Sequence, residues 1–92
     1  EGVLQPAAEV NGVFGLHKCR VRKVGFDLFV ELHVEVDPGI TVADGHVISH
    51  AVKDRIRIEN PSITDVLIHV EPSLRLTQTK ARLSGAQSDE AN

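Results

Sequence analysis

Between Asp27 and Asp37 the chain alternates strictly: Leu28, Val30, Leu32, Val34 and Val36 are aliphatic, and Phe29, Glu31, His33 and Glu35 stand between them. Successive side chains of a strand point to opposite faces, so the pattern predicts a strand with one face in a core and one in water. Leu16 to Val24 is strand-like as well, and Val24-Gly-Phe-Asp27 turns the one into the other. With Gly25 and Phe26 as a two-residue loop, Arg20 faces Glu31, Val21 faces Val30, Lys18 faces His33 and Cys19 faces Leu32; a three-residue loop would set Arg20 against Val30. The shorter loop pairs charge with charge. It also puts Lys18, Arg20 and Arg22 on the wet face and His17 on the core side.

Pro38-Gly39 ends the second strand, and Thr41 is placed to cap a helix with Asp44 in its first turn, running to about Glu59. At about 100° per residue, Val47, Ile48, Ala51, Val52, Ile56 and Ile58 form a broad apolar side, with His46, His50, Lys53 and Arg57 opposite. Asn60-Pro61-Ser62 stops the helix. Thr64 to Glu71 then reads as a third strand, with Val66, Ile68 and Val70 on one face, Leu67, His69 and Glu71 on the other, and Pro72 closing it. Residues 1–10 read as a clipped helix, since Pro6 fits only a first turn and Val10-Asn-Gly-Val-Phe-Gly15 breaks what precedes it. Ser73 to Asn92 has three leucines, no aromatic residue and no sustained period, which predicts a mobile tail after a domain spanning 1–72. The order helix, strand, strand, helix, strand gives an α+β fold, a two-layer sandwich with helices on one face of a three-stranded sheet. The other face is free.

At 92 residues the chain has room for one core, and no uncharged apolar run approaches the roughly 20 residues needed to span a bilayer, so this segment is not expected to insert directly into a membrane. It contains no Met, which suggests a segment of something larger. The net charge of −3 argues against nucleic acid as a partner. Residues 31 to 72 hold 8 acidic groups against 3 basic ones, together with four of the five histidines. The single Cys19 excludes an internal disulfide and, in a strand-like stretch, reads as a small buried residue.

The chemistry lies on the free face. His69-Val-Glu71 puts two ligand types at i and i+2 on one side of a strand, and His33 projects from the same side of the second strand. If those strands are neighbours, about 4.8 Å apart, imidazole and carboxylate can meet on one ion at bonds of about 2.0 to 2.2 Å. His69 would be the centre of such a cluster. Histidine with carboxylate suits Zn²⁺ and also accommodates Co²⁺, Ni²⁺, Cu²⁺, Mn²⁺ or Fe²⁺. On the residues alone, a His-x-Glu triplet on a wet face is more often plain polar surface, and both readings stand. His46 and His50 have i, i+4 ligand spacing but lie opposite the core, where solvent is the simplest reading. No Ser or Cys nucleophile with a nearby His, no metallopeptidase helix and no phosphate-cradling glycine loop supports an enzyme.

Four segments together are familiar. Gly12-Val-Phe-Gly-Leu-His17-Lys-Cys-Arg20-Val-Arg22-Lys-Val-Gly25, Val30-Glu-Leu-His33-Val-Glu-Val-Asp37, Val42-Ala-Asp-Gly-His46 and Asp65-Val-Leu-Ile-His69-Val-Glu-Pro72 resemble, in order and spacing, the cytosolic C-terminal domain of cation diffusion facilitator transporters. The resemblance implies a metallochaperone-like (ferredoxin-like) α-β-β-α-β fold with the third strand beside the second. It implies a homodimer on the cytoplasmic side of a membrane, below a transmembrane domain of the same protein that exchanges divalent cations for protons. It further implies metal ions near the dimer interface, held at the positions of His17, His33, His46, His69 and Glu71. Zn²⁺ comes first, with Fe, Mn, Co, Ni, Cu or Cd as alternatives, because magnetosome-associated members share the domain while handling iron. Glu71 stands where Asp is common, Gly45 replaces a better helix former, and His50 is additional. The competing readings are a dimerisation module whose histidines are polar surface, and a free-standing metallochaperone.

Overall fold

A computed structural model of the chain describes residues 2–73. Its elements are α1 (Leu4–Ala8), β1 (Gly15–Val24), β2 (Asp27–Val36), α2 (Val42–Glu59) and β3 (Asp65–Pro72). The sheet order is β1-β2-β3, with β1 antiparallel and β3 parallel to the central β2. The expected fold class is the one observed. The expected mobile tail lies, apart from Ser73, outside the described residues.

The alternation along β2 builds the core. Val30, Leu32, Val34 and Val36 are buried, and they meet Val52 and Ile56 of α2, Val66 of β3 and Ile63 before it. Thr41 caps α2 by accepting a hydrogen bond from the Asp44 N–H at 3.0 Å. The buried side of α2 is narrower than its sequence suggests: Gly45, Val52 and Ile56 are buried and Ile48 is partly so, whereas Val47, Ala51 and Ile58 are exposed. A three-stranded sheet offers one helix a narrow seat, and only residues near a single line along α2 reach it. Val3 and Ala7 bring α1 onto the same core.

Both ends of β3 are fastened to β2. The Thr64 N–H donates to the Leu28 carbonyl at 2.7 Å, the Leu28 N–H donates to Thr64 Oγ1 at 3.1 Å, and the Ser73 N–H donates to the Val36 carbonyl at 2.8 Å. Between these ties the register runs Glu31↔Leu67, His33↔His69 and Glu35↔Glu71.

The hairpin corrects the predicted register. Near the turn the pairs are as expected, Arg20↔Glu31 and Val21↔Val30, with Gly25 at φ +62° in the loop. Beyond Arg20, however, two residues of β1, Lys18 and Cys19, stand against Leu32 alone, and His17 pairs with His33. Lys18 takes φ +54°, the left-handed conformation that begins one type of β-bulge. The pairings Lys18–His33 and Cys19–Leu32 are therefore not formed. The extra residue reverses the faces, moving His17 from the predicted core side to the open side, and Cys19 is exposed rather than buried. Phe29, expected in water, is half-buried.

Candidate metal centre

The open face carries a row of three imidazoles, one from each strand. His17, His33 and His69 are register partners across the sheet; the rings of His33 and His69 stack at 4.5 Å and those of His17 and His33 lie 5.4 Å apart. Strand pairing alone sets this spacing, since each residue stands directly across from the next on the same face of a pleated sheet. Two residues further along, Glu35 and Glu71 are partners on one side of the row, and Glu31 lies two residues back on the other.

The carboxylates tie the row together. His17 Nε2 donates to Glu71 Oε1 at 3.0 Å and lies 3.4 Å from Glu35 Oε2, His33 Nδ1 donates to Glu71 Oε2, and His69 Nε2 donates to Glu31 Oε2 at 2.7 Å. The hydrogen bond from His33 is the main reason the Glu71 carboxyl is held below its ordinary value; partial desolvation opposes it, and His17 adds to it. For Glu31 the bond from His69 acts in the same direction against desolvation, with a lesser contribution from the charge of Arg20. His33 is the least exposed of the three histidine side chains at 21%, against 34% for His17 and 41% for His69.

Two triplets bring their ligand atoms within 4.8 Å of one another: His17, His33 and Glu71, and Glu31, His33 and His69. Imidazole nitrogen with carboxylate oxygen is a donor set that fits Zn²⁺ and its neighbours in the first transition row. His17, His33, His69 and Glu71 thus converge as a group. His33, on the middle strand and common to both triplets, is the centre of the cluster, a place the sequence assigns to His69. His46 belongs to neither triplet. It is exposed on the first turns of α2, 4.5 Å from the ring of His50, and lines with Glu71 and Val70 the groove between that end of the helix and β3. Sequence reasoning missed Glu31 and Glu35. The rule that selected His69-Val-Glu71, ligand types at i and i+2, applies equally to Glu31-Leu-His33-Val-Glu35.

An α+β module whose open sheet face gathers imidazole and carboxylate offers a transition-metal ion the ligand types it takes. Residues 1–73 match the ZT_dimer family, the cytoplasmic domain of cation efflux proteins, and the chain belongs to it. Among relatives, metal tolerance protein C1 of Arabidopsis thaliana is 33% identical over 73 residues, covering 79% of this chain and 16% of that protein. The cation-efflux pump FieF of Yersinia pestis (strain Pestoides F) is 34% identical over 61 residues, covering 66% of this chain and 20% of the pump. The chain thus spans a fifth or less of the length of these relatives. Of solved structures, the metal-bound C-terminal domain of the CzcD transporter from Thermotoga maritima superposes with a TM-score of 0.72 at 31% identity, covering 77% of this chain and 83% of that one. The zinc form of a MamM C-terminal domain variant gives 0.74 at 30% identity, covering 78% and 79%. Manganese, cadmium and nickel forms of that domain are similar too. Among the described residues no helix is long and apolar enough to cross a membrane.

Proposed function

We propose that this chain is the metal-sensing and dimerisation domain of a proton-coupled divalent-cation efflux transporter, with Zn²⁺ as its first ligand and iron or another first-row cation as the alternative. The observation that carries the reading is the histidine row: three imidazoles in one register line, with Glu71 bonded to two of them. His33, His69, Glu71 and His17 hold the ion, and His46 completes coordination near a partner chain. The metal-bound CzcD domain and the several metal forms of MamM support a divalent cation as the ligand. A bound ion supplies positive charge and directed bonds where three carboxylates crowd three imidazoles. This chain's own part is to hold those side chains on rigid strands.

Dimerisation uses the open face. Leu67, exposed and paired in register with Glu31, and the half-buried Phe29 give that face an apolar margin beside the metal ligands. A second copy with the same margin covers it by two-fold symmetry. Ligands drawn from both chains then convert a loose pair into a bridged one, and the ion shifts the equilibrium by its preference for the bridged form. In the full-length protein this closure favours transport by the transmembrane domain.

Calorimetric titration of the domain with Zn²⁺, together with small-angle scattering of the apo and loaded forms, tests the reading. Saturable binding that His33→Ala abolishes, with a change in scattering profile, is expected. No binding would leave a dimerisation module, and binding with an unchanged profile would leave a metal site without regulation.

A further inference from the structure

The hairpin of β1 and β2 overhangs the helical layer. Of β1 only Leu16 joins the core, so Val21, although paired with the buried Val30, is 58% exposed. Val24 at 53% and Phe26 at 104% continue this bare apolar strip into the turn. Gly25 supplies the left-handed first position of the two-residue loop, and Phe26 stands at its apex. Around the apex the charge has one sign. Residues 20–26 hold Arg20, Arg22 and Lys23 and no acid, in a chain of net charge −3. On α2, Lys53 is paired with Asp65, and Arg55 with Glu9 and Glu59, whereas among the described residues none of the three hairpin cations makes an ion pair. Arg20 faces Glu31 in register, so the unbalanced charge centres on Arg22 and Lys23. As successive strand residues these point to opposite faces and flank the apex on both sides.

The tip also lies at a particular end of the domain. The Gly2 carbonyl accepts a hydrogen bond from Asn60 Nδ2 at 2.7 Å, and Asn60 caps the end of α2 shortly before Asp65, which is level with Phe29 near the turn. From Gly2 the chain runs through α1 to the opposite end, where the Phe14 N–H donates to the Glu35 carbonyl. We propose that the hairpin tip is a docking point for an anionic lipid surface, with Phe26 at the acyl boundary and Arg22 and Lys23 on the lipid phosphates. The proposal rests on the reading of the chain as the C-terminal domain of a transporter, whose transmembrane part precedes Gly2 and so lies at the end that carries the tip. Such a contact stays at headgroup depth and spans nothing. It would fix the tilt of the domain beneath the membrane.

Cosedimentation of the 92-residue chain with vesicles at millimolar lipid tests this, in chelator, with phosphatidylcholine alone and mixed with phosphatidylserine. Binding to the anionic vesicles only is expected, and it should vanish at about 1 M salt, where screening acts within about 3 Å. A chain of net charge −3 has no attraction to that surface as a whole, so binding reports a local patch. Each cation near an anionic leaflet is worth about fivefold, so Arg22→Gln/Lys23→Gln should weaken binding about 25-fold. Phe26→Ser should weaken it about tenfold. The chain has no Trp or Tyr, so Phe26→Trp introduces a lone indole at the apex, and its emission should shift to the blue on anionic vesicles alone. Metal-free thermal melts confirm that each variant is folded. No binding to anionic vesicles, equal binding to both kinds, or binding that these substitutions leave unchanged would each overturn the proposal. Zn²⁺ titration of the same chain without lipid keeps the two readings apart: uptake of Zn²⁺ with indifference to lipid removes this proposal alone, and the reverse removes metal sensing alone.

Discussion

Deleting Lys18 is the sharpest test of how His17 reaches the histidine row. In a regular hairpin of the native length, His17 would point to the core side and Lys18 would face His33. The bulge sets Lys18 and Cys19 against Leu32, so one of the two is surplus to the ladder. Removing Lys18 makes the ladder regular with Cys19 opposite Leu32, and it keeps His17 opposite His33. The left-handed backbone at Lys18 costs a non-glycine residue about 1 to 2 kcal/mol. Its removal is offset in part by straightening β1 from Gly15 to His17, where the backbone at Gly15 approaches the Glu35 side chain closely. A net gain of about 1 kcal/mol is expected, or about 4 to 8 °C in the melting temperature of a domain this size. Zn²⁺ affinity by calorimetry should stay within about threefold of the parent, because the row loses no ligand. A melting temperature lowered by a similar amount, with affinity falling as far as in His17→Ala, would refute the register argument.

His33→Ala should weaken Zn²⁺ binding more than His69→Ala or His17→Ala, since only His33 belongs to both triplets; equal losses in parallel titrations would contradict this. Gly45→Ala should raise the melting temperature by about 2 to 8 °C, from a helix gain of about 0.5 to 1 kcal/mol, because the new Cβ meets Val70 and Ile40 at ordinary contact distances of 3.7 and 3.9 Å; a lower value would show that α2 cannot accept it. Glu31 and Glu71 are held below the ordinary carboxyl value of 4.5, so each stabilises the metal-free fold fully above that pH and loses the contribution as pH falls through the lowered value. Acid unfolding followed by circular dichroism should begin below about pH 4.5 and be shallower in the Glu31→Gln/Glu71→Gln variant. Light scattering with saturating Zn²⁺ should give a dimer mass, and a monomer at high concentration would count against the two-fold pairing.

The sheet was legible because alternation along β2 and β3 is strict, and alternation fixes which residues share a face. His33, His69 and Glu71 follow directly from that parity. His17 did not, because parity fails at a bulge, and Lys18 carries none of the signals that mark one: bulges of this type favour glycine in the left-handed position. The extent of the buried stripe on α2 was overread for a related reason. Periodicity tells which side of a helix is apolar, whereas how much of that side is covered depends on the width of the sheet beneath it, so Val47 and Ile58 remain in water. The place of His33 at the centre was hidden by the same bulge, since with His17 on the core side only two strands contribute histidines to the open face.

The ties at the two ends of β3 have a consequence for how change in this domain can be tolerated. A slide of β3 along β2 by two residues, about 6.6 Å, preserves every inside and outside assignment, because strand parity repeats every second position. Burial therefore cannot tell such a slide from the native pairing. The two states differ on the open face, where the slide would set Glu71 or Leu67 rather than His69 beside His33. Discrimination falls to the bonds of Thr64 and Ser73 and to the length of the connection through α2, which together act as an index mark for the strand. Two residues added to the loop around Pro61 and Ser62 could leave a folded protein with its apolar face still inward and its imidazoles out of line, a lesion that a metal titration shows far more plainly than a melting curve.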